Sequence, residues 1–236
     1  MKKQNSIKKN SICRTKPNVD IKEYKSSISK SDYYYISRKA REFILKNKIC
    51  ELPINLEELI VKNKWYLASY NEIKQYGYLD DEIIKNDWGL SVFINNSYLI
   101  LYDDTLSEGA KRFTIAHEIG HIFLNHFSGD VKSDSIETQA SMFAARLLMP
   151  MCVLYECRID AVEELEKLCS VSKVAAQYRF ERLQKLKIRN KFYTDKQERK
   201  VYKLFKGFIK KYNKDNNKSK FKDFFNKIIG KFNKVK

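Results

Sequence analysis

The stretch RFTIAHEIGHIFLNHF, residues 112–127, holds all three histidines of a 236-residue chain. Read as a helix, it sets His117 and His121 four residues apart, about 40° from each other on one face, so both imidazoles converge on one point. Glu118 is offset by about 100° from His117 and about 60° from His121. It is near enough to meet a water held at that point, yet poorly aimed to bind an ion beside both histidines. H-E-x-x-H on one turn therefore combines two metal ligands with a general base. Chance clustering on an amphipathic helix is the competing reading, and the residues downstream decide between them.

A catalytic zinc takes three protein donors near 2 Å and a water. His126 is a poor third donor, because it lies five positions past His121, about 140° further round the helix or beyond its end. The elongated H-E-x-x-H-x-x-G-x-x-H pattern needs a glycine where this chain has Leu124 and a histidine one residue after His126. His126 thus reads as a surface or helix-terminal residue. A carboxylate or cysteine must complete the set, and the nearby candidates are Asp130, Asp134 and Glu137. Glu137 is favoured because it shares a helical stripe with Ala140, Ser141, Ala144 and Leu148. Small residues on that stripe admit a close approach to the histidine helix, where Gly120 leaves matching room. Five cysteines (Cys13, Cys50, Cys152, Cys157 and Cys169) lack C-x-x-C spacing and read as reduced thiols of a cytoplasmic protein.

The net charge of +17 is peripheral. Residues 1–32 carry nine Lys/Arg against three Asp/Glu, residues 187–236 eighteen against four, and residues 33–186 nineteen against twenty-two. Nucleic-acid or membrane binding would therefore rest on the ends. No apolar run approaches the roughly 18 residues of a membrane span, and the opening MKKQNSIKKNSICRTK has no apolar h-region, so it does not read as a signal peptide.

The expected organisation is a basic flexible arm over 1–32, one domain over 33–188 and a basic amphipathic helical tail over 189–236. A helix is expected from an Asp32 N-cap to Asn47, a short one in LPINLEELIVKNK, and a strand in WYLASY. WGLSVFINNSYLILYDD reads as a hairpin turning at Asn95-Asn96, whose edge offers a place for an extended peptide to add as a strand. Thr105–Glu108 has capping-box form ahead of the histidine helix, and SIETQASMFAARLLMP is a helix ended by Pro150. Helices dominate thereafter, so the fold class is α+β. Residues 164–186 have a helix-turn-helix pattern, expected to pack on the domain or help hold substrate. In the tail, Phe205, Phe208, Ile209 and Tyr212 form one apolar stripe. A second contains Phe221, Phe224, Phe225, Ile228, Ile229 and Phe232. They predict two helices about the polar break NKDNNKSK, docked on the protein or a partner, or laid on an anionic membrane surface.

RFTIAHEIGHIFL, followed by ETQASMFAARLLMP, resembles the ImmA/IrrE family of metallo-endopeptidases, whose pattern is RFTLAHELGH with a later E-x-E-A-N-x-F-A-A-x-L-L-M-P. The likeness runs from about Tyr33 to Leu186 and departs at Gln139 and Ser141. It implies a zincin-like domain with zinc on His117, His121 and Glu137 and with Glu118 as the catalytic base. It also implies a bacterial or mobile-element protease that cleaves a helix-turn-helix repressor to switch on a stress or transfer programme. Two alternatives stand beside it: a protease recruited to DNA by its basic ends, and a non-enzymatic regulator stabilised by zinc. The oligomeric state is left open.

Overall fold

The computed structural model describes residues 12–15, 28–76, 87–127, 134–193 and 195–232, except for the side chains of 12–15, 134 and 218–232. Its sheet grows from the expected hairpin. Asn95 and Asn96 both adopt left-handed backbone, with φ of 50° and 60°, the conformation that a two-residue hairpin turn needs and that asparagine tolerates. They join β3 (Gly89–Ile94) to β4 (Ser97–Tyr102), paired from Ile94↔Ser97 to Gly89↔Tyr102. β2 (Tyr66–Ser69) runs parallel to β4, and β1 (Ile12–Thr15) runs antiparallel to β3. The order is β1-β3-β4-β2.

That order corrects two expectations. The hairpin lacks the free edge expected of it, since β1 lies along β3 and β2 along β4. Residues 12–15, inside the stretch read as an arm, form a strand, because pairing at an open sheet edge asks only for extended backbone with matching N–H and C=O groups.

Side chains alternate across the sheet. Leu90, Val92 and Leu101 pack with Tyr70 on one face. Ser91 and its cross-strand partner Ile100 face the helices, where Ile100 joins the main core.

Nine helices are present among the described residues: α1 (Lys30–Asn47), α2 (Leu56–Lys62), α3 (Tyr70–Gln75), α4 (Glu108–Leu124), α5 (Asp134–Leu148), α6 (Met151–Glu156), α7 (Val162–Cys169), α8 (Lys173–Ile188) and α9 (Lys196–Phe232). None is long and apolar enough to cross a membrane. α4 is central, packed on α5 and against β3 and β4. Its core face presents Ile115, Ile119 and Ile122, while Phe43 of α1 meets Phe123 and Phe143 edge-on. The cap of α1 is Ser29, whose hydroxyl accepts from the Asp32 amide, so the helix starts ahead of the expected Asp32. At α4 no capping box forms. Thr105 spends its amide and hydroxyl on Asp103 Oδ1, and Ser107 takes the cap position without a side-chain bond.

The helix-turn-helix pattern is real and is part of the core. Ser170 is left-handed between α7 and α8, Ser172 caps α8, and Leu165, Cys169, Val171, Ala176 and Leu183 are buried. The tail is one helix, not two, because NKDNNKSK contains no glycine or proline to stop it. Its first half docks through Val201, Phe205 and Ile209 onto the main core, and Tyr212 and Asn216 bond Glu164 at 2.8 Å each. The second apolar stripe, from Phe221 to Phe232, lies where only the backbone is described.

Candidate metal centre

The two helices that form the site touch through main chain. A Cβ added to Gly120 of α4 would lie 3.1 Å from the Ala140 carbonyl oxygen and 3.2 Å from its Cα. At this spacing the first turn of α5 brings Glu137 to the histidine pair. His117 Nε2 and His121 Nε2 are 2.8 Å apart, with Glu137 Oε2 3.1 Å from the first and Oε1 3.4 Å from the second. Both histidines are buried, at 1% and 0% exposure, whereas the Glu137 side chain keeps 28%.

The outer nitrogens of both rings are engaged. His117 Nδ1 is 2.9 Å from Ser141 Oγ, and His121 Nδ1 is 3.0 Å from His126 Nδ1. With those contacts made by Nδ1 protons, the two Nε2 lone pairs and a carboxylate point into one space with no proton between them. A cation relieves this conflict. Donors about 2.0–2.2 Å from a tetrahedral zinc lie about 3.3 Å from one another, and the observed separations bracket that value. His117, His121 and Glu137 therefore fit a metal ion as a His-His-Glu group.

Glu118 points the other way, toward the sheet. Ser91 of β3 donates its hydroxyl to Glu118 Oε2 at 2.5 Å, and both residues are 0% exposed. Beside it, Gly89 lets β3 lie close on α4, since a Cβ there would overlap Thr114. Gly89 and Ser91, small residues on one face of β3, thus receive the Glu118 carboxylate against the sheet.

Charge follows from the same packing. Burial holds His121 down to about 4, against the pull of its Glu137 hydrogen bond. Burial also holds His126 down to about 4, against a hydrogen bond with Gln139. For Glu137 burial works upward, but the facing rings of His117 and His121 prevail and lower it to about 2. At neutral pH His121 is thus uncharged and Glu137 ionised, the states a metal ligand needs.

Of the residues expected at the site, His117, His121 and Glu137 come together and Glu118 stands beside them. Asp130 lies outside the described residues, and Asp134 opens α5 with its side chain undescribed. His126, expected at the surface or at a helix end, stands at the end of α4 and is a half-buried partner of His121. It follows the left-handed Asn125, which turns the chain back over the end of α4. The two departures from the family pattern fall on supporting positions, with Ser141 bonding His117 and Gln139 bonding His126. Ser91 was not anticipated, since a serine in a β-rich run carries no signal until the helix crossing it is known. Tyr98 packs among Trp65, Phe93 and Phe127, and Tyr102 carries Lys111 over its ring. Cys152, Cys157 and Cys169 are buried free thiols, each pushed up to about 12 chiefly by burial, and Cys50 is an exposed one.

Residues 78–181 match the sequence model of a peptidase family, M78, described as the IrrE N-terminal-like domain. That span includes β3, β4 and every helix from α4 through α7. No curated protein matches the chain.

Proposed function

The chain carries a metallopeptidase domain of the ImmA/IrrE family, and on that basis we propose that it is a zinc-dependent, site-specific endopeptidase acting on a helix-turn-helix repressor. The observation that carries the peptidase reading is the three-member His-His-Glu group, with Glu118 following His117 on the same helix. Structural zinc sites are closed by four protein ligands, whereas catalytic ones use three and keep a position for water. Among the described residues the group has three members, which favours a peptidase over a zinc-stabilised regulator.

Zinc bound to this set would polarise a scissile carbonyl and bring the pKa of water toward ~7. The remaining work falls to the chain's own groups. His117 and His121 are held in orientation by Ser141 and His126, so their Nε2 lone pairs stay aimed inward. Glu118 takes the proton of the attacking water and returns it to the departing amide nitrogen. Ser91 fixes one carboxylate oxygen of that base. The repressor as substrate, a stress or mobile-element programme as its consequence, and a cytoplasmic setting rest on the family resemblance. The free thiols among the described residues suit that setting.

The test is co-expression with a helix-turn-helix repressor encoded beside the gene. A single cut is expected, abolished by Glu118→Gln while metal analysis still finds about one zinc per chain. Glu137→Ala should lower the zinc content. Cleavage that survives Glu118→Gln would refute the assignment of the base, and a chain that takes up no zinc would refute the enzyme.

A further inference from the structure

A second feature lies one helical turn from the metal centre and has no part in the chemistry above. α1, α5 and α8 enclose a cavity of about 400 Å³, within the size range of small-molecule sites. Arg146 of α5 and Arg179 and Arg182 of α8 line it, with Lys30 at its margin. Among the described residues its wall contains no aspartate or glutamate and none of these arginines is ion-paired. They belong to the segment 33–186, whose net charge is slightly negative, so a general surplus of cations does not account for them.

Each guanidinium is anchored by a few bonds. Arg146 Nε donates to Ser37 Oγ and Nη1 to the Met142 carbonyl, at 2.8 and 2.9 Å. Arg179 gives Nε and Nη2 to the Met149 carbonyl, and Arg182 gives Nη2 to the Tyr33 hydroxyl. A guanidinium has five N–H donors, and even with the further Arg146–Tyr33 hydrogen bond the bonds among the described residues leave more than half of the fifteen uncommitted. Arg146 and Arg182 also lie 4.5 and 5.5 Å from the centre of the Tyr33 ring. A stacked tyrosine spreads this charge without cancelling it. The strain shows in the titration of the groups. Burial, then the charges of Arg146 and Arg182, push Arg179 down to about 9. Burial alone would raise the Tyr33 hydroxyl, yet the three arginines together hold it below its ordinary value.

Like charges gathered at a partly desolvated site, with no counter-ion among the described residues, raise the free energy of the empty state, and a bound anion lowers it. The rest of the wall is mostly apolar, with Phe113, Met142, Ala145 and Met149, and carries Ser29, Ser141 and Tyr178 besides. We propose that this cavity binds a small molecule bearing an oxyanion, a carboxylate or a phosphate monoester, on an apolar or aromatic body. The oxyanion meets the arginines in forked hydrogen bonds, and the body lies on the α5 side. Ser141 lines the cavity and bonds His117 Nδ1. The ligand therefore sits behind that ring, on the side turned away from Glu137, and is not the peptide being cut.

The test is binding alone, on the full metal-loaded chain, and so stands or falls separately from cleavage. Phenyl phosphate, benzoate and inorganic phosphate are titrated in parallel by calorimetry. One-site binding of phenyl phosphate or benzoate is expected, tighter than inorganic phosphate by about tenfold or more; which of the two is preferred identifies the oxyanion. Arg182→Gln, which keeps a donor for Tyr33, should weaken binding about tenfold or more. Ala145→Leu, which fills the cavity without removing a polar group, should abolish it. Failure of all three probes to bind overturns the proposal. So does inorganic phosphate binding as tightly as the aromatic probes, or unchanged affinity in both folded variants.

Discussion

Replacing Ser91 by alanine tests how the sheet serves the site. The change deletes one hydroxyl, 2.5 Å from Glu118 Oε2, at a place where both residues are 0% exposed. Bulk water has no surface at which to replace the lost donor. Hydrogen bonds to charged groups contribute about 1.5–3 kcal/mol net, so Ser91→Ala should destabilise the metal-free protein by about 2 kcal/mol. For a chain of this size that lowers the melting temperature by about 5 °C. The measurement is urea unfolding followed by far-UV circular dichroism, with chelator present so that metal binding does not contribute. A second background sharpens it. In Glu118→Gln the acceptor is neutral, and the same serine deletion should cost only about 1 kcal/mol. A single variant within about 0.5 kcal/mol of wild type, below the range for such a bond, would show that the serine does not hold the carboxylate. Equal costs in the two backgrounds would show that it is not the charge that Ser91 serves.

His126→Ala should weaken metal binding by about 10- to 100-fold, because it removes the partner of His121 Nδ1; chelator competition measures this, and unchanged affinity would contradict the assigned contact. Phe205→Ala should cost about 3–5 kcal/mol, since Phe205 is wholly buried under α1 and α6. A cost below about 1 kcal/mol would mean that α9 is not part of the folded unit. Metal-free protein should lose stability as pH falls from about 6.5 to about 4. In that window the unfolded chain protonates its histidines, while burial keeps folded His121 and His126 neutral. Below about 4.5 the depressed Glu137 adds to the loss. A melting temperature constant across pH 4–7 would refute the buried, neutral state of these rings.

The parts of the site carried by a single helical period are legible in the sequence. His117, Glu118 and His121 follow from the 3.6-residue turn, and the small residues around Ala140 betray the close crossing that makes Glu137 a ligand. The hairpin is equally plain, because Asn95-Asn96 names its own turn. What escapes is whatever depends on pairing across distance. Ser91 acquires its role only when β3 is laid beneath α4. His126 acquires its role only when Asn125 turns the chain back on itself. β1 is a stretch of ordinary composition that becomes a strand because β3 has an edge to offer. The ends of helices mislead for a related reason, since the hydroxyl of Thr105 has two uses and Asp103 wins it. NKDNNKSK misleads by polarity alone, which solvates a helix without ending it.

The contact between Gly120 and Ala140 makes the site a pair of jaws hinged on bare main chain. Its gape is set by the distance between two helical rods rather than by rotamer choice, which gives the site a rigid gauge for ionic radius. Side-chain bulk at position 120 therefore acts as a wedge, and a graded series of substitutions there would draw Glu137 away from the histidines without altering any atom of the three side chains.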